Sequence, residues 1–301
     1  VQYINTKGVA IRGLVSEKLG FHAFVTDNQV SVLRYVNSRF LMDDYAALPN
    51  EGRFKLFTSS VSDRLANGLD YFHVKGYVTY QPIERIRVQF GYDKNFIGNG
   101  IRSLFLSDFS ANNLFLKVNT KVWKLNYQNL FMQLIAPHQY GLDQLLPTKY
   151  ASMHHLSFNV TKWLNIGAFE GVVFDREDGF ELHYLNPLIF YRAVEFQLGS
   201  PDNVVLGVDW KMNFLKHFSF YGQFMLDEFR FSDFFSNNGW WGNKNGFQLG
   251  LKYIDVFNVS NLDLQVEYNQ VRPYAYTHHT AAGNYTHFNQ PLAHPLGANF
   301  R

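Results

Sequence analysis

The chain has 301 residues, of which 47% are apolar and 17% are charged, and its formal net charge is +2. This apolar content is enough to order the chain and excludes general disorder, while the 27 basic residues, balanced by 25 acidic ones, form no basic patch that would favour nucleic-acid binding. The absence of cysteine excludes disulfides, thiolate metal sites and a cysteine nucleophile.

Apolar and polar side chains alternate with a period of two along most of the chain, which predicts β-strands. In residues 261–270, for example, Leu264 and Val266 fall on one face and Gln265 and Glu267 on the other. No apolar run reaches the roughly 18 residues of a membrane-spanning helix. The alternating stretches, in chain order, include 9–18, 71–80, 85–93, 113–119, 122–133, 153–161, 164–174, 203–212, 218–227, 247–253 and 261–271.

Alternation alone fits both a soluble sandwich and a membrane barrel, and three further features favour the barrel. Many runs reach about 9–11 residues, the length of a tilted membrane strand, whereas soluble strands more often have about 5–6. Very short links alternate with long segments, as in barrels with tight periplasmic turns and extended outer loops. Aromatic side chains collect at both strand ends, where two membrane interfaces would select them. We therefore predict an all-β protein, a transmembrane antiparallel outer-membrane β-barrel, with a soluble all-β fold as the alternative.

The alternation of short and long connections also predicts the organisation of the chain. We expect one barrel domain over residues 1–301, with at least fourteen strands and therefore strands missing at both ends of this sequence. The short links are expected near Lys18–Gly20, Gln81–Glu84, Thr120–Lys121, Thr161–Trp163, Asn213–His217 and Asp255–Ser260. The long outer loops are expected at about 31–69, 95–111, 136–150, 175–202, 230–245 and 272–301.

Some charged side chains occupy the polar positions of the alternation, which would face the barrel interior, and others lie on loops able to fold inward. These side chains are candidates for a network inside the lumen. Such a network would hold the loops in a closed interior through balanced ion pairs, or else select a solute. Its candidate members are Arg87, Asp93, Arg102, Arg192, Glu195, Asp227, Glu267 and Arg272. Glu170 does not fit the pattern, because its parity points it at lipid; a β-bulge or a partner chain would account for it.

The long loops are rich in aromatic and amide side chains, a composition that suits contact with carbohydrate as well as any ordered loop. The candidate glycan-contacting residues are Trp240, Trp241, Asn243, Tyr274, Tyr276, Asn289 and Gln290. We expect no metal site, because the adjacent His154 and His155 would point to opposite faces of a strand. We expect no catalytic residues either, since the acidic run at Asp175, Glu177 and Asp178 is typical of a solvated loop.

Four long strings resemble the capsule-assembly (Wzi-type) outer-membrane family, in the branch that includes gliding-motility outer-membrane proteins. They are GYDKNFIGNGIRSLFLSDFSANNLFLKV at 91–118, NPLIFYRAVEFQLGSPDNVVLGVDWK at 186–211 with YGQFMLDEF at 221–229, NGWWGNKNGFQLGLKY at 238–253, and NLDLQVEYNQVRPYAYTH at 261–278 with HFNQPLAHPLGANFR at 287–301. The resemblance implies an 18-stranded barrel with an occluded lumen and a role in attaching capsular polysaccharide. It transfers no catalytic residue.

The expected function is therefore that of a non-enzymatic protein of the bacterial outer membrane that binds or organises surface polysaccharide. The alternative is a solute channel, or a subunit of a larger outer-membrane complex for gliding, secretion or transport. The expected partners are outer-membrane lipid and lipopolysaccharide, surface polysaccharide and other outer-membrane proteins, with no nucleic acid and no cofactor.

Overall fold

A computed structural model describes residues 3–33, 35, 38, 47–57, 68–139, 144–176, 179–188, 190–200, 202–227 and 243–297. These residues form one large antiparallel sheet, one α-helix and a small two-stranded sheet. None of the described helices is long and apolar enough to cross a membrane.

The large sheet contains thirteen strands. They are β1 (Ile4–Ser16), β2 (Leu19–Ser31), β3 (Lys55–Phe57), β4 (Gly68–Ile83), β5 (Ile86–Asp93), β6 (Asn113–Val122), β7 (Leu125–Ile135), β8 (Thr148–Asn159), β9 (Leu164–Phe174), β10 (Asn203–Phe214), β11 (Phe218–Asp227), β12 (Asn245–Tyr253) and β13 (Leu264–Val271). The helix is α1 (Tyr191–Leu198), and the small sheet pairs β14 (Thr286–His287) with β15 (Gln290–Pro291). Short 3-10 helices lie at Leu182–Leu185, Val256–Asn258 and Pro295–Gly297.

Neighbouring strands in the sheet follow chain order from β1 to β13, except that the short β3 pairs with one end of β4. Each long strand is antiparallel to the next, so every connection is a hairpin link at one of two rims. Pairing is regular over long stretches; β10 and β11 stay in register from Val205 opposite Asp227 to Phe214 opposite Phe218. The short-turn rim carries the brief links, such as Trp123–Lys124 between β6 and β7. The long-loop rim carries the longer connections, such as residues 94–112 between β5 and β6.

The two faces of this sheet differ as the alternation predicted. On the outward face, apolar side chains such as Leu156, Leu206 and Val266 are exposed, the last by 61%. The other face is polar near the short-turn rim and buried near the long-loop rim. An apolar row on the outside of an antiparallel wall with polar groups inside is the arrangement of a membrane barrel. The predicted fold, an all-β transmembrane antiparallel outer-membrane β-barrel, is confirmed.

Some strand ends differ from the prediction by a few residues. The turn expected at Thr120–Lys121 lies at Trp123–Lys124, because β6 continues to Val122 and Trp123 adopts a positive φ of 53° that closes the hairpin. The last strand begins at Leu264, since the link before it contains the 3-10 helix at Val256–Asn258. Alternating sequence on either side of a turn does not mark where pairing stops, which explains both shifts.

Candidate functional site

The interior near the long-loop rim is filled by two stretches of the chain. We name them the first inner segment (residues 94–112, between β5 and β6) and the second inner segment (residues 272–297, after β13). Apolar residues of both pack against inward side chains of β6 to β11 to form the largest buried cluster. This cluster includes Ile97, Leu104, Phe105, Leu106, Phe115, Leu130, Met132, Met153, Phe169, Val205, Met225, Tyr276, Tyr285 and Leu292.

Gln223, on the inward face of β11, holds the first inner segment against the wall. Its Oε1 accepts hydrogen bonds from the backbone N–H of Leu104 at 2.8 Å and from the hydroxyl of Ser103 at 3.2 Å. Its Nε2 donates to the carbonyl oxygen of Ile97 at 3.4 Å. Gln223 is fully buried, so each of these bonds replaces water that the amide and the loop backbone have lost.

Two tyrosines join the inner segments to each other. The hydroxyl of Tyr276 donates to the carbonyl oxygen of Leu104, and that of Tyr285 donates to the carbonyl oxygen of Phe105, both at 2.8 Å. Asp227, at the end of β11, accepts from the backbone N–H of Tyr276 at 2.6 Å. The two segments are therefore bound to one another and to the wall by buried polar contacts as well as by apolar packing.

His287 links the second inner segment to β7 and to the end of the first inner segment at once. Its Nδ1 accepts from the backbone N–H of Ile135 at 2.9 Å, and its Nε2–H donates to the carbonyl oxygen of Asn112 at 2.9 Å. This pattern requires a neutral imidazole. The pKa of His287 lies at about 4, mainly because burial lowers it; the hydrogen bond to Asn112 opposes this effect, and the nearby charge of Lys149 adds to it.

Near the short-turn rim, the described part of the chain does not fill the interior in this way. The inward polar side chains there are only partly buried, and several carry charge: Gln89, Asn119, Gln128, His155, Lys211, Ser219 and Lys252. Lys252 donates to the carbonyl oxygen of Asn99 at 3.0 Å and lies 5.1 Å from the ring centre of Tyr221. We call this region the inner vestibule.

Carboxylates on the inward face are each held by a neighbour. Asp209 of β10 lies 2.6 Å from Nε2 of His155, and Asp93 of β5 lies 3.7 Å from the ammonium of Lys75. Glu267 of β13 accepts from the hydroxyl of Tyr221 at 2.7 Å and from the backbone N–H of Ile101 at 2.9 Å. The cation Arg87 contacts the amide oxygen of Gln81 at 3.3 Å and forms no ion pair with a carboxylate of the described residues.

The structure brings part of the predicted lumen network into the interior. Asp93, Asp227 and Glu267 hold inner-segment or wall groups as described, and Arg102 of the first inner segment forms an ion pair of 2.7 Å with Asp108. Arg272 follows β13, and its backbone N–H donates to the carbonyl oxygen of Asn245 at 2.9 Å. These groups make separate local contacts rather than one connected set of ion pairs.

Arg192 and Glu195 correct the prediction, because they lie on the outer side of the wall. Both belong to α1, where they pair with each other. The helix packs its Tyr191 and Val194 against Val172 of β9 and Val204 of β10, whose side chains point outward. The alternation of side chains assigns faces only within strands. It therefore could not predict on which side of the wall residues 175–202 fold.

The predicted glycan-contacting residues are largely engaged inside the molecule. Trp240 and Trp241 lie outside the described residues, whereas Asn243, Tyr276 and Gln290 are buried. The side chain of Gln290 bonds to the backbone of Leu48 and Asn50, and Asn289 exchanges two hydrogen bonds with the backbone of His138, at 2.8 and 3.0 Å. Tyr274 is half exposed.

The histidine pair behaves as its parity predicts. His154 points outward to Glu170, at 2.9 Å, and His155 points inward to Asp209. Among the described residues, no three His, Asp or Glu side chains come together as a potential metal site. Of the acidic run considered for hydrolysis, Asp175 is exposed, while residues 177 and 178 lie outside the described part of the chain.

Glu170 points outward, as its parity predicts, and no β-bulge shields it, since the register of β9 with both neighbours is unbroken at this residue. Instead, a segment of the same chain, residues 179–188 and 190–200, folds over the outer wall and buries the carboxylate. Its oxygens accept from the backbone N–H groups of Tyr191 and Arg192, each at 3.0 Å, and from His154.

Sequence reasoning missed the residues that anchor the inner segments: Gln223, Lys149, Tyr285 and His287. Gln223 and Lys149 lie on the inward parity but carry no signal that separates them from vestibule residues. Lys149 is fully buried and donates to the carbonyl oxygen of Asn284 at 2.5 Å. Its position at the long-loop end of β8 was the one available hint.

Comparisons with solved structures find outer-membrane porins. OpdO of Pseudomonas aeruginosa superposes with a TM-score of 0.48 and 11% identity, over 89% of this chain and 65% of OpdO, so the chain spans about two thirds of that protein. The anion-selective porin of Comamonas acidovorans gives 0.40 and 11%, over 91% of this chain and 80% of the porin. OpdK of Pseudomonas aeruginosa, solved with vanillate, gives 0.40 and 12%, over 92% and 78%. No protein-family model and no curated protein matches the chain.

These comparisons correct the expected family. The predicted resemblance to capsule-assembly proteins is wrong: no model of that family matches, and the similar solved structures named above are porins. The strings that suggested the family cover strands β5, β6 and β10 to β13 together with the inner segments, which any large barrel with inward loops must supply. The outer-membrane location follows from the fold and its apolar outward face: the protein lies in the bacterial outer membrane, in contact with its lipid.

Proposed function

We propose that this protein is a channel for small anionic solutes across the outer membrane. The inner vestibule supplies the wide part of the path, and the two inner segments form its constriction. The observation that carries the proposal is the charge pattern of the interior. Arg87, Lys211 and Lys252 are accessible cations that form no ion pair with a carboxylate of the described residues, whereas the inward carboxylates Asp209 and Asp227 are buried.

An excess of unpaired cations on a water-filled inner wall raises the local concentration of anions. The apolar cluster and the buried hydrogen bonds keep the inner segments in one arrangement, so the constriction has a defined shape. A narrow passage of this kind favours small solutes with few conformations over large ones. The alternative reading, a subunit of a larger outer-membrane assembly, would need a surface that binds another protein.

The test is single-channel recording of the full chain in a planar bilayer under a gradient of potassium chloride. The expected result is a small steady conductance with a zero-current potential that indicates chloride preference. The double variant Lys211→Gln with Lys252→Gln should lower the anion-to-cation permeability ratio by at least about twofold. Lys7→Gln, which removes a charge from the outward face of β1, is the matched control and should leave the ratio unchanged.

Absence of conductance from protein that is folded, as judged by heat-dependent mobility on a gel, would overturn the channel. Conductance with cation preference would keep a channel but contradict the role given to the interior cations.

A further inference from the structure

The outer wall carries a groove that the proposed channel does not use. It has a volume of about 630 Å³ and lies between the outward face of β6 to β11 and Pro187, Leu188 and Phe190 of the loop that covers Glu170. Its floor is apolar, with Leu156, Ala168 and Val208 among its residues, and Leu188 and Phe190 form its outer side. Small-molecule sites have volumes of about 300–1,000 Å³, so the groove is large enough for a ligand.

The polar groups at the edge of the groove are consumed by internal contacts. The hydroxyl of Tyr127 bonds to the carbonyl oxygen of Pro187 and lies 3.1 Å from Nδ1 of His154. The other ring nitrogen of His154 contacts Glu170, whose oxygens also take the N–H groups at the start of α1. With these groups satisfied, the groove offers a mainly apolar surface, to which Thr120 adds one further polar side chain among the lining residues.

The position of the groove identifies the medium around it. Val122 and Leu125, beside the turn that joins β6 and β7, lie at one end of the groove. Exposed aromatic side chains, Trp123 and Trp163, mark the same rim. Aromatic girdles lie at the membrane interface and short turns face the periplasm, so the groove extends from the inner interface into the hydrocarbon layer. It is continuous with the lipid-facing wall.

The loop that covers the groove is itself apolar toward the membrane. Leu188, Phe190 and Phe196 are exposed by 87%, 73% and 87%. A loop that faced water would not present such residues together, whereas hydrocarbon accepts them. The floor and the outer side of the groove are therefore both compatible with hydrocarbon.

From this geometry we infer that the groove binds one acyl chain of a phospholipid from the periplasmic leaflet, held between the barrel wall and the side chains of Pro187, Leu188 and Phe190. The bound chain fills a space that would otherwise be a gap in packing beside Ala168. The contact is mainly non-polar and independent of the head group, since the lining is almost entirely apolar.

The first test uses the folded protein in vesicles that contain a phospholipid with a photoreactive group in its acyl chain. After irradiation, labelled peptides are mapped by mass spectrometry. Labelling should concentrate at least about tenfold on peptides with Leu156, Ala168 or Leu188 over peptides from the open outward face of β13. Even labelling over the whole outward wall would overturn the inference. The same experiment in isolated outer membranes shows whether a protein occupies the groove, since loss of labelling there would overturn it as well.

A second test counts retained lipid. Native mass spectrometry of mildly delipidated protein should find one phospholipid per chain, lost when the groove is filled by Val208→Trp or Ala168→Phe. Val266→Trp, on the same outward parity but away from the groove, is the matched control and should keep the lipid. Equal retention in filled and control variants, or no retained lipid in the unaltered protein, would contradict the site. Because these readouts do not involve conductance, they succeed or fail independently of the channel.

Discussion

The carboxylate of Glu170 in β9 accepts a hydrogen bond of 3.0 Å from the backbone N–H of Tyr191, the first residue of α1. Phe190 precedes the helix and has no side chain able to cap it. The barrel wall therefore supplies the cap that the local sequence lacks. An acidic residue on the lipid-facing parity thus serves to fasten a loop to the outside of the barrel.

Replacing this carboxylate should release α1 from the wall. In Glu170→Ala, two backbone N–H groups and His154 lose their acceptor, at a cost of about 1–3 kcal/mol in the stability of the segment. Limited proteolysis should cleave within 179–200 much faster than in the unaltered protein, while the barrel remains folded. Glu84→Ala, at an exposed short turn, should not change the cleavage rate; unchanged cleavage in Glu170→Ala would mean that apolar packing alone holds the helix.

The same loop has a second anchor at Asp202, where Arg176 donates from two nitrogens at 2.8 and 2.6 Å and Tyr184 donates at 2.6 Å. Burial alone would raise the pKa of this carboxyl, but the hydrogen bonds from Arg176, Ser200 and Tyr184 outweigh it and hold the pKa below its ordinary value. Asp202→Asn removes the closest partner of the guanidinium, leaves it the longer contact of 3.6 Å with Glu181, and should destabilise the folded loop by about 2–4 kcal/mol. Hydrogen exchange of residues 179–200 measures the effect, with Asp175→Asn as control. Protection equal to that of the control would show that the ion pair is dispensable.

The constriction should depend on the tyrosines that join the inner segments. Tyr276→Phe combined with Tyr285→Phe removes two buried hydrogen bonds and leaves the carbonyl oxygens of Leu104 and Phe105 without these donors. We expect a loss of about 1–3 kcal/mol per unsatisfied group and a larger, noisier conductance as the first inner segment loosens. Tyr268→Phe, on the outward face of β13, is the control. A conductance identical to that of the control would separate these contacts from the constriction.

His287 predicts a pH dependence of stability. Its pKa is about 4 in the folded protein, mainly because of burial, and about 6.5 when the chain is unfolded. Protons therefore bind the unfolded state more readily, and the stabilisation from the neutral imidazole is complete above pH 6.5 and lost as pH falls through 4. The difference corresponds to about 3 kcal/mol.

Urea unfolding in vesicles at pH 7.5, 5.5 and 4 measures this dependence. The variant His287→Asn should show a smaller loss between pH 7.5 and 4 than the unaltered protein. His279→Asn, in an exposed part of the same segment, should retain the full dependence. An unchanged slope in His287→Asn would assign the pH effect to other groups, such as His294, whose pKa burial also lowers.

Much of the wall could be predicted from the alternation of apolar and polar side chains. Val266, Gln265 and Glu267 take the faces that alternation assigns, because each residue of a strand reverses the direction of the next side chain. His154 and His155 separate to opposite faces for the same reason. The candidate site was harder to predict, since Arg192 and Glu195 lie on a loop where no period applies.

The predicted family was wrong for a different reason, which the long strings at 91–118 and 261–278 illustrate. They suggested a family through their composition, but what they share with other barrels is the need to place an apolar loop inside a polar wall. Leu104 and Tyr276 meet across the interior although they are far apart in the chain. No local pattern encodes that contact.

The sequence by itself determined an alternating, aromatic-rich antiparallel wall with short and long connections, because strand period and turn length are local properties of the chain. The tertiary structure alone decided which long segments turn inward to narrow the interior and which one turns outward over Glu170. Those choices depend on whether each loop buries its apolar groups against the inner cluster or against the lipid-facing wall. Both of these packing surfaces form only once all the strands are in place.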